Sequence, residues 1–118
     1  MESNDSLEAL TLALREFARE RDWEQFHDPK SLVLALVGEV GELAELFQWI
    51  PAEAAVEHFG DPARKQRAGE EIADVLTYLL RLADVLDVDI ATATWAKLEA
   101  SRERFAPDHV NGVAPEKA

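Results

Sequence analysis

Apolar residues recur at helical spacing along almost the whole chain, and this feature limits the fold more than any other. No stretch alternates apolar and polar residues for long enough to predict a strand, whereas a period of about 3.6 residues is found throughout. With 118 residues, the chain has the length of one domain. The sequence therefore predicts a single all-α domain. The stripe in its first segment consists of Leu7, Leu10, Leu14 and Phe17.

Capping and breaking residues divide the chain into helices. Asp5 suits a helix N-cap, and aspartate precedes proline at residues 28–29 and 61–62, which is typical of a helix start. The helical pattern stops after the last predicted helix. We therefore predict a domain over residues 1–106 and a flexible C-terminal tail over residues 107–118. The predicted helices span residues 6–21, 29–49, 51–59, 62–86 and 90–105.

The predicted helix 29–49 is apolar on nearly every side, so it must be covered on all sides. The remaining helices of one short chain are too few to cover it, and we therefore expect a partner chain to do so. Trp95 in the last helix is predicted to face the core.

The net charge, the start of the chain and the length of its apolar stretches argue against nucleic acid binding, secretion and a membrane span. The net charge is −12, from 24 acidic and 12 basic residues, which opposes binding to a nucleic acid polymer. It does not oppose a nucleotide that arrives with its own Mg²⁺. The start of the chain lacks the basic and apolar regions of a secretory signal, and the apolar stretch 32–37 is too short to span a membrane. We expect a cytoplasmic protein with no membrane partner.

One acidic pattern occurs twice, as Glu39 with Glu42 and as Glu71 with Asp74. Residues three apart are neighbours on one face of a helix, and both pairs interrupt strongly apolar runs. Carboxylates gathered in such a place repel one another and lose hydration, which costs on the order of several kcal/mol per ion unless something compensates. Partial protonation or a bound cation would compensate. A set of oxygen ligands favours Mg²⁺, and Mn²⁺ can take its place.

The acidic pattern could also belong to two other kinds of structure, a di-iron bundle or a solvated helix surface. A di-iron bundle requires Glu-x-x-His pairs on facing helices, and neither acidic motif contains a histidine. The carboxylates could also be solvated charges on helix surfaces, as a single Glu-x-x-Glu usually is. Two copies within two strongly apolar helices favour the metal site.

Three segments, residues 21–27, 34–49 and 70–79, resemble the dCTP pyrophosphatase branch of the MazG-like family. The doubled acidic motif marks the wider superfamily of all-α triphosphate pyrophosphatases. The Trp-Glu-Gln-Phe-His run that starts at Trp23 and the Phe-Gln-Trp run that ends at Trp49 are more specific to this branch. The resemblance extends over about residues 7–105.

The resemblance implies a four-helix core, a homotetramer built from two tight dimers, and hydrolysis of a nucleoside triphosphate to a monophosphate and pyrophosphate. It implies catalysis through Mg²⁺ held by Glu39, Glu42, Glu71 and Asp74. It places the base pocket at Trp23, His27, Trp49 and Tyr78. It places the contacts with the phosphates at Lys97, Arg102 and Arg104.

The chain departs from the family pattern near both ends of the resemblance. It has Leu14 where a close relative would offer histidine, Ser101 where asparagine is usual, and Phe105-Ala106 where the family has Tyr-Pro. These departures concern selectivity among nucleotides and leave the metal site intact. A dUTP or broad-specificity pyrophosphohydrolase of the same fold therefore stays open, as does a non-catalytic helical dimer that acts as an interaction module.

Overall fold

The computed structural model describes residues 6–114, and those residues form α-helices joined by turns, without a β-strand. The predicted all-α fold class is confirmed. Two 3₁₀ turns, Glu24–Phe26 and Ala52–Ala54, lie in the connections. The helices are α1 (Leu7–Glu20), α2 (Pro29–Glu45), α3 (Ala55–His58), α4 (Pro62–Val85), α5 (Ile90–Arg104) and α6 (Pro107–Val110).

Side-chain caps fix the starts of the long helices. Asp28 accepts a hydrogen bond from the backbone N–H of Ser31 at 2.9 Å, and Asp61 caps α4 in the same way. Each satisfies one of the amides that the first helical turn leaves unpaired. For α1 the cap is Ser6. The predicted cap at Asp5 falls outside the described residues.

Helix α2 ends at Glu45, four residues before the predicted end at Trp49. The N–H groups of Leu46 and Phe47 bond to carbonyls three residues back, which tightens the helix end into a turn. The Phe47 ring then packs on the Phe59 ring with 4.7 Å between centroids. The prediction was wrong here because an aromatic contact with a distant residue redirects an apolar stretch that could have continued as helix.

Helix α4 is the central element of the first compact unit, because both α1 and α2 pack against it. The buried apolar side chains come from all three helices, so this three-helix packing is the core that positions the site. They are Ala18, Leu32, Ala68, Leu80 and Ala83.

The chain forms two compact units, Met1–Asp87 and Val88–Ala118, and α5 and α6 belong to the second. Trp95 on α5 is 68% exposed, so the prediction that it faces the core was wrong for a single chain. Helix α6 lies within the predicted tail, whose last residues, 115–118, are outside the described part. The boundary near residue 106 stays a prediction. None of the described helices is long and apolar enough to cross a membrane.

Candidate active site

Four carboxylates meet where α2 faces α4. Each of Glu39, Glu42, Glu71 and Asp74 offers one oxygen, and these atoms all lie within 4.8 Å of one another. The i, i+3 spacing puts each pair on one face of its helix, and the packing of α2 on α4 brings the two faces together. The geometric grouping predicted from the doubled motif is thus present in the structure.

Two of these carboxylates each have one buried oxygen that no donor among the described residues satisfies. Oε2 of Glu39 and Oε2 of Glu71 are enclosed, and neither has a hydrogen-bond partner within the described chain. Burial raises the pKa of Glu39, and the charges of Glu42 and Asp74 raise it further. Burial also raises the pKa of Glu71, which is only 4% exposed. Buried acceptors with no donor are costly, so the cluster calls for a cation or a proton.

The acidic cluster fits a divalent cation. It supplies only oxygen donors, from two helices that hold them close together, and Glu39 and Glu71 each have one buried oxygen without a hydrogen-bond partner among the described residues. Hard divalent cations such as Mg²⁺ and Mn²⁺ prefer ligand sets of this type.

Arg67 is a member of the site that sequence reasoning missed. Its Nη2 lies 3.0 Å from Oε1 of Glu71, and its side chain is more than half exposed. The contact opposes the rise in the Glu71 pKa. The i, i+4 spacing of Arg67 and Glu71 is the signal that could have identified it.

A cavity of about 220 Å³ opens beside the acidic cluster. Glu39 and Asp74 line one side of it, so the cavity and the cluster are contiguous. The other walls combine aromatic and apolar side chains with three polar ones. They are Leu14, Phe17, Ala18, Trp23, His27, Thr77, Tyr78 and Arg81.

The end of α1 places Trp23 at this cavity. Asp22 adopts a left-handed conformation with φ of 54°, and the N–H of Trp23 bonds back to the carbonyl of Ala18 at 2.9 Å. This is a Schellman ending, which reverses the chain and packs the following residue on the helix that it leaves. The Trp23 ring meets Phe17 edge-on, with 5.7 Å between centroids. A local backbone motif therefore builds one wall of the cavity.

His27 lines the same cavity and is hydrogen-bonded to a charged network on α4. Nε of Arg81 donates to Nδ1 of His27 at 3.2 Å, and Nη1 of Arg81 donates to Asp84 at 3.0 Å. Arg15 on α1 makes two further bonds to Asp84. Sequence reasoning missed Arg81, although its place seven residues after Asp74 puts both on one face of α4.

Tyr78 lies in the cavity with Trp23 and His27, but Trp49 does not. The Trp49 side chain is 87% exposed and lines a separate open cavity of about 520 Å³ with His58 and Arg64. Within one chain, the structure therefore groups three of the four residues assigned to the base pocket. The part of Trp49 in base binding stays a prediction.

The three predicted phosphate contacts all lie on α5, in the second unit. Arg102 pairs with Glu99 at 3.2 Å. The Arg104 guanidinium lies over the Phe105 ring at 4.9 Å, and Lys97 lines an apolar surface cavity on its own helix. Their contact with phosphates stays a prediction.

The fold and the site define an all-α protein with a four-carboxylate centre beside an aromatic cavity. The MazG-like family model matches residues 35–113. The chain belongs to the MazG-like family.

Two curated relatives carry the name dCTP pyrophosphatase 1. The one from Bos taurus is 47% identical over 109 residues, which are 92% of this chain and 64% of that protein. The one from Homo sapiens is 47% identical over 105 residues, 89% of this chain and 61% of that protein. The chain thus spans less than two thirds of the length of these relatives.

A solved structure is also similar. It is a pyrophosphatase from Archaeoglobus fulgidus, 36% identical, with a TM-score of 0.79. The match covers 90% of this chain and 97% of that one.

Proposed function

We propose that this protein is a metal-dependent pyrophosphohydrolase that converts dCTP, or a modified dCTP, to dCMP and pyrophosphate in the cytoplasm. The observation that carries the proposal is the continuity of the four-carboxylate cluster with the aromatic cavity through Glu39 and Asp74. A nucleotide whose base lies in the cavity would have its phosphates next to the four carboxylates. Similarity to proteins named dCTP pyrophosphatase 1 supports cytosine as the base.

Mg²⁺ is the proposed metal, with Mn²⁺ as a substitute, and the four carboxylates are its proposed ligands. When bound, the ion offsets the charge of the triphosphate and lowers the pKa of a ligated water. One carboxylate of the cluster, or Glu45 nearby, orients or deprotonates the attacking water. The water oxygen forms a bond to the α-phosphorus, the bond from that phosphorus to the bridging oxygen breaks, and pyrophosphate leaves.

The residues of the cavity bind the base in this proposal. Trp23 and Tyr78 offer aromatic faces, and stacking of a base on an aromatic side chain contributes about 1–3 kcal/mol. His27 offers a polar edge, and Trp49 is proposed to complete the pocket. Arg67 stabilises negative charge on the phosphates from beside Glu71. Lys97, Arg102 and Arg104 are the further proposed phosphate contacts.

Product analysis with each common deoxynucleoside triphosphate, with Mg²⁺ and with chelator, tests the proposal. We expect metal-dependent release of dCMP and pyrophosphate, with the other nucleotides slower. Similar turnover of dUTP or of all nucleotides would keep the chemistry and overturn the choice of cytosine. A folded protein that hydrolyses none of them would overturn the proposed enzymatic activity and would favour the non-catalytic interaction module.

We also propose that the protein assembles as a homotetramer, a dimer of dimers. Helix α2 leaves several apolar side chains in solvent, among them Leu34 and Val37, each 62% exposed. Contiguous exposed apolar surface of this kind is typical of a protein interface. A second copy of α2 would cover it.

Replacing Val37 by aspartate is expected to shift the protein to a smaller species, because burying an unpaired carboxylate in an interface is costly. Light scattering after size-exclusion chromatography measures the mass. Val37→Ile is the matched control and should keep the larger mass. An unchanged mass for the aspartate variant, with normal helix content, would remove α2 from the interface.

A further inference from the structure

The hydrogen bond from Arg81 to His27 fixes which imidazole nitrogen carries the proton. The guanidinium of arginine has only N–H donors and no acceptor. Its Nε donates to Nδ1 of His27 at 3.2 Å, so Nδ1 must present a lone pair. The proton of the neutral ring is therefore on Nε2. Among residues 6–114, no group accepts a hydrogen bond from that Nε2.

Arg81 is itself held rigidly. Its side chain is only 6% exposed, and Nη1 lies 3.0 Å from Oδ2 of Asp84. Asp84 is held in turn by Arg15, whose Nε and Nη2 donate to its two oxygens at 3.0 and 2.6 Å. The bidentate geometry of this pair fixes the carboxylate as well as neutralising it. The donor that faces His27 therefore has little freedom to turn away.

The surroundings of His27 also oppose a second proton on the ring. Burial lowers the pKa of His27, and the charge of Arg81 lowers it further, while Glu24 acts in the opposite direction. A doubly protonated ring would also turn an N–H toward the N–H of Arg81. The neutral ring is thus the form compatible with the network.

The cavity that His27 lines is small. Its volume of about 220 Å³ is below the range of about 300–1,000 Å³ of pockets that enclose drug-sized ligands, so it fits a single ring better than a whole nucleotide. The aromatic faces of Trp23 and Tyr78 suit a planar ring. Stacking on an aromatic face does not distinguish one base from another. A neutral histidine with its proton on Nε2 adds one directed hydrogen-bond donor to these contacts.

We infer that Arg81, held by Asp84, is a positioning residue that keeps His27 in the Nε2–H tautomer, so that His27 donates a hydrogen bond to an acceptor on the edge of a pyrimidine base. Cytosine presents two such acceptors, its carbonyl oxygen and its unprotonated ring nitrogen. The inference rests on the proposed function for the identity of the ligand. The tautomer and its dependence on Arg81 do not require any activity.

Long-range ¹H–¹⁵N spectra of the histidine-labelled full chain test the tautomer directly. The wild-type protein at neutral pH should show a protonated Nε2 and an unprotonated Nδ1 for His27, whose signals are assigned by their loss in His27→Gln. Protonated Nδ1 in the wild type would overturn the inference without any further variant.

Arg81→Lys tests the cause of the tautomer. Lysine keeps the charge beside Asp84 but loses the fixed planar fork, so we expect His27 to exchange between the two tautomers. Arg19→Lys is the matched control, because Arg19 on α1 pairs with Glu16 and makes no hydrogen bond to Arg15, His27, Arg81 or Asp84 among the described residues. It should keep the wild-type spectrum. An unchanged His27 spectrum in Arg81→Lys would overturn the role of Arg81.

Steady-state kinetics with dCTP then test the link to the base. Loss of one directed hydrogen bond should raise KM for dCTP about tenfold in Arg81→Lys, with a smaller change in kcat. An altered tautomer with unchanged KM would overturn recognition of the base by His27. If the wild type shows the expected tautomer but hydrolyses no nucleotide, the proposed function fails and the positioning role of Arg81 stands.

Discussion

Replacing Glu39 by glutamine is expected to lower kcat for dCTP by at least about 100-fold, and Glu71→Gln should do the same. Each change keeps the shape of the side chain and removes one charge from the cluster in which the four ligand oxygens lie within 4.8 Å. Glu39 and Glu71 also each have one buried oxygen that lacks a hydrogen-bond partner among the described residues. In each variant, a cation held there would lose one of its four charged ligands. Initial rates of pyrophosphate release at saturating Mg²⁺ and dCTP measure the effect.

The same two variants should make the metal-free protein more stable, although they lower its activity. Burial raises the pKa of both carboxyl groups, so the charged forms oppose folding at neutral pH. The neutral amide of glutamine removes this unfavourable charge, so the melting temperature of the metal-free variants should exceed that of the wild type. The rise in melting temperature that Mg²⁺ produces in the wild type should shrink, because a weaker ligand stabilises less.

Glu70→Gln is the matched control for these variants. It removes the same charge from α4, one residue away, at an exposed position whose carboxylate contacts only Gln66 among its described neighbours. We expect near-normal turnover and no gain in metal-free stability. Normal turnover in Glu39→Gln and Glu71→Gln would show that the acidic cluster is not the active centre.

The acidic cluster could be predicted from the sequence because its geometry is mostly local. Spacing of three residues fixes each pair on one helix face, and the apolar runs around Glu39 and Glu71 require α2 and α4 to pack against each other. Only one long-range fact is needed, the pairing of those two helices, and hydrophobic burial supplies it. The helix starts were equally local, because a capping side chain acts within its own first turn.

The rest of the site depends on contacts that no local pattern encodes. Arg81 and His27 are 54 residues apart, and their bond exists only because α4 passes the turn that follows α1. The end of α2 was misplaced because the contact between Phe47 and Phe59 is a packing choice. In a single chain that contact leaves Trp49 away from the other aromatic residues assigned to the base. Sequence reasoning therefore located the acids well and the base pocket only in part.

Replacing Asp84 by asparagine is expected to lower the free energy of unfolding by about 3 kcal/mol, because it leaves the buried Arg81 without its charged partner. Urea denaturation followed by circular dichroism measures the loss. The matched control is Glu99→Gln, which breaks an exposed pair with Arg102, each side chain more than 60% exposed. That change should stay within about 0.5 kcal/mol.

The pH dependence of this loss identifies its cause. The hydrogen bond from Arg15 holds the pKa of Asp84 below its usual value, and the charges of Arg15 and Arg81 add to this effect. A carboxyl group with a lowered native pKa stabilises the fold above its unfolded pKa of about 3.9 and loses that contribution as pH falls toward the native value. The difference in free energy of unfolding between the wild type and Asp84→Asn should therefore be largest at neutral pH and become smaller below about pH 4. A gap that does not depend on pH would assign the loss to packing.

A double variant separates stability from function in this network. If the cost in Asp84→Asn comes from an orphaned guanidinium, then Arg81→Met combined with Asp84→Leu should recover most of the stability, because apolar residues can replace a buried ion pair at little cost. The same protein would lack the donor that faces His27, so its KM for dCTP should stay raised. Recovery of stability without recovery of KM would show that the ion pair is retained to orient His27. Recovery of both would show that it serves the fold alone.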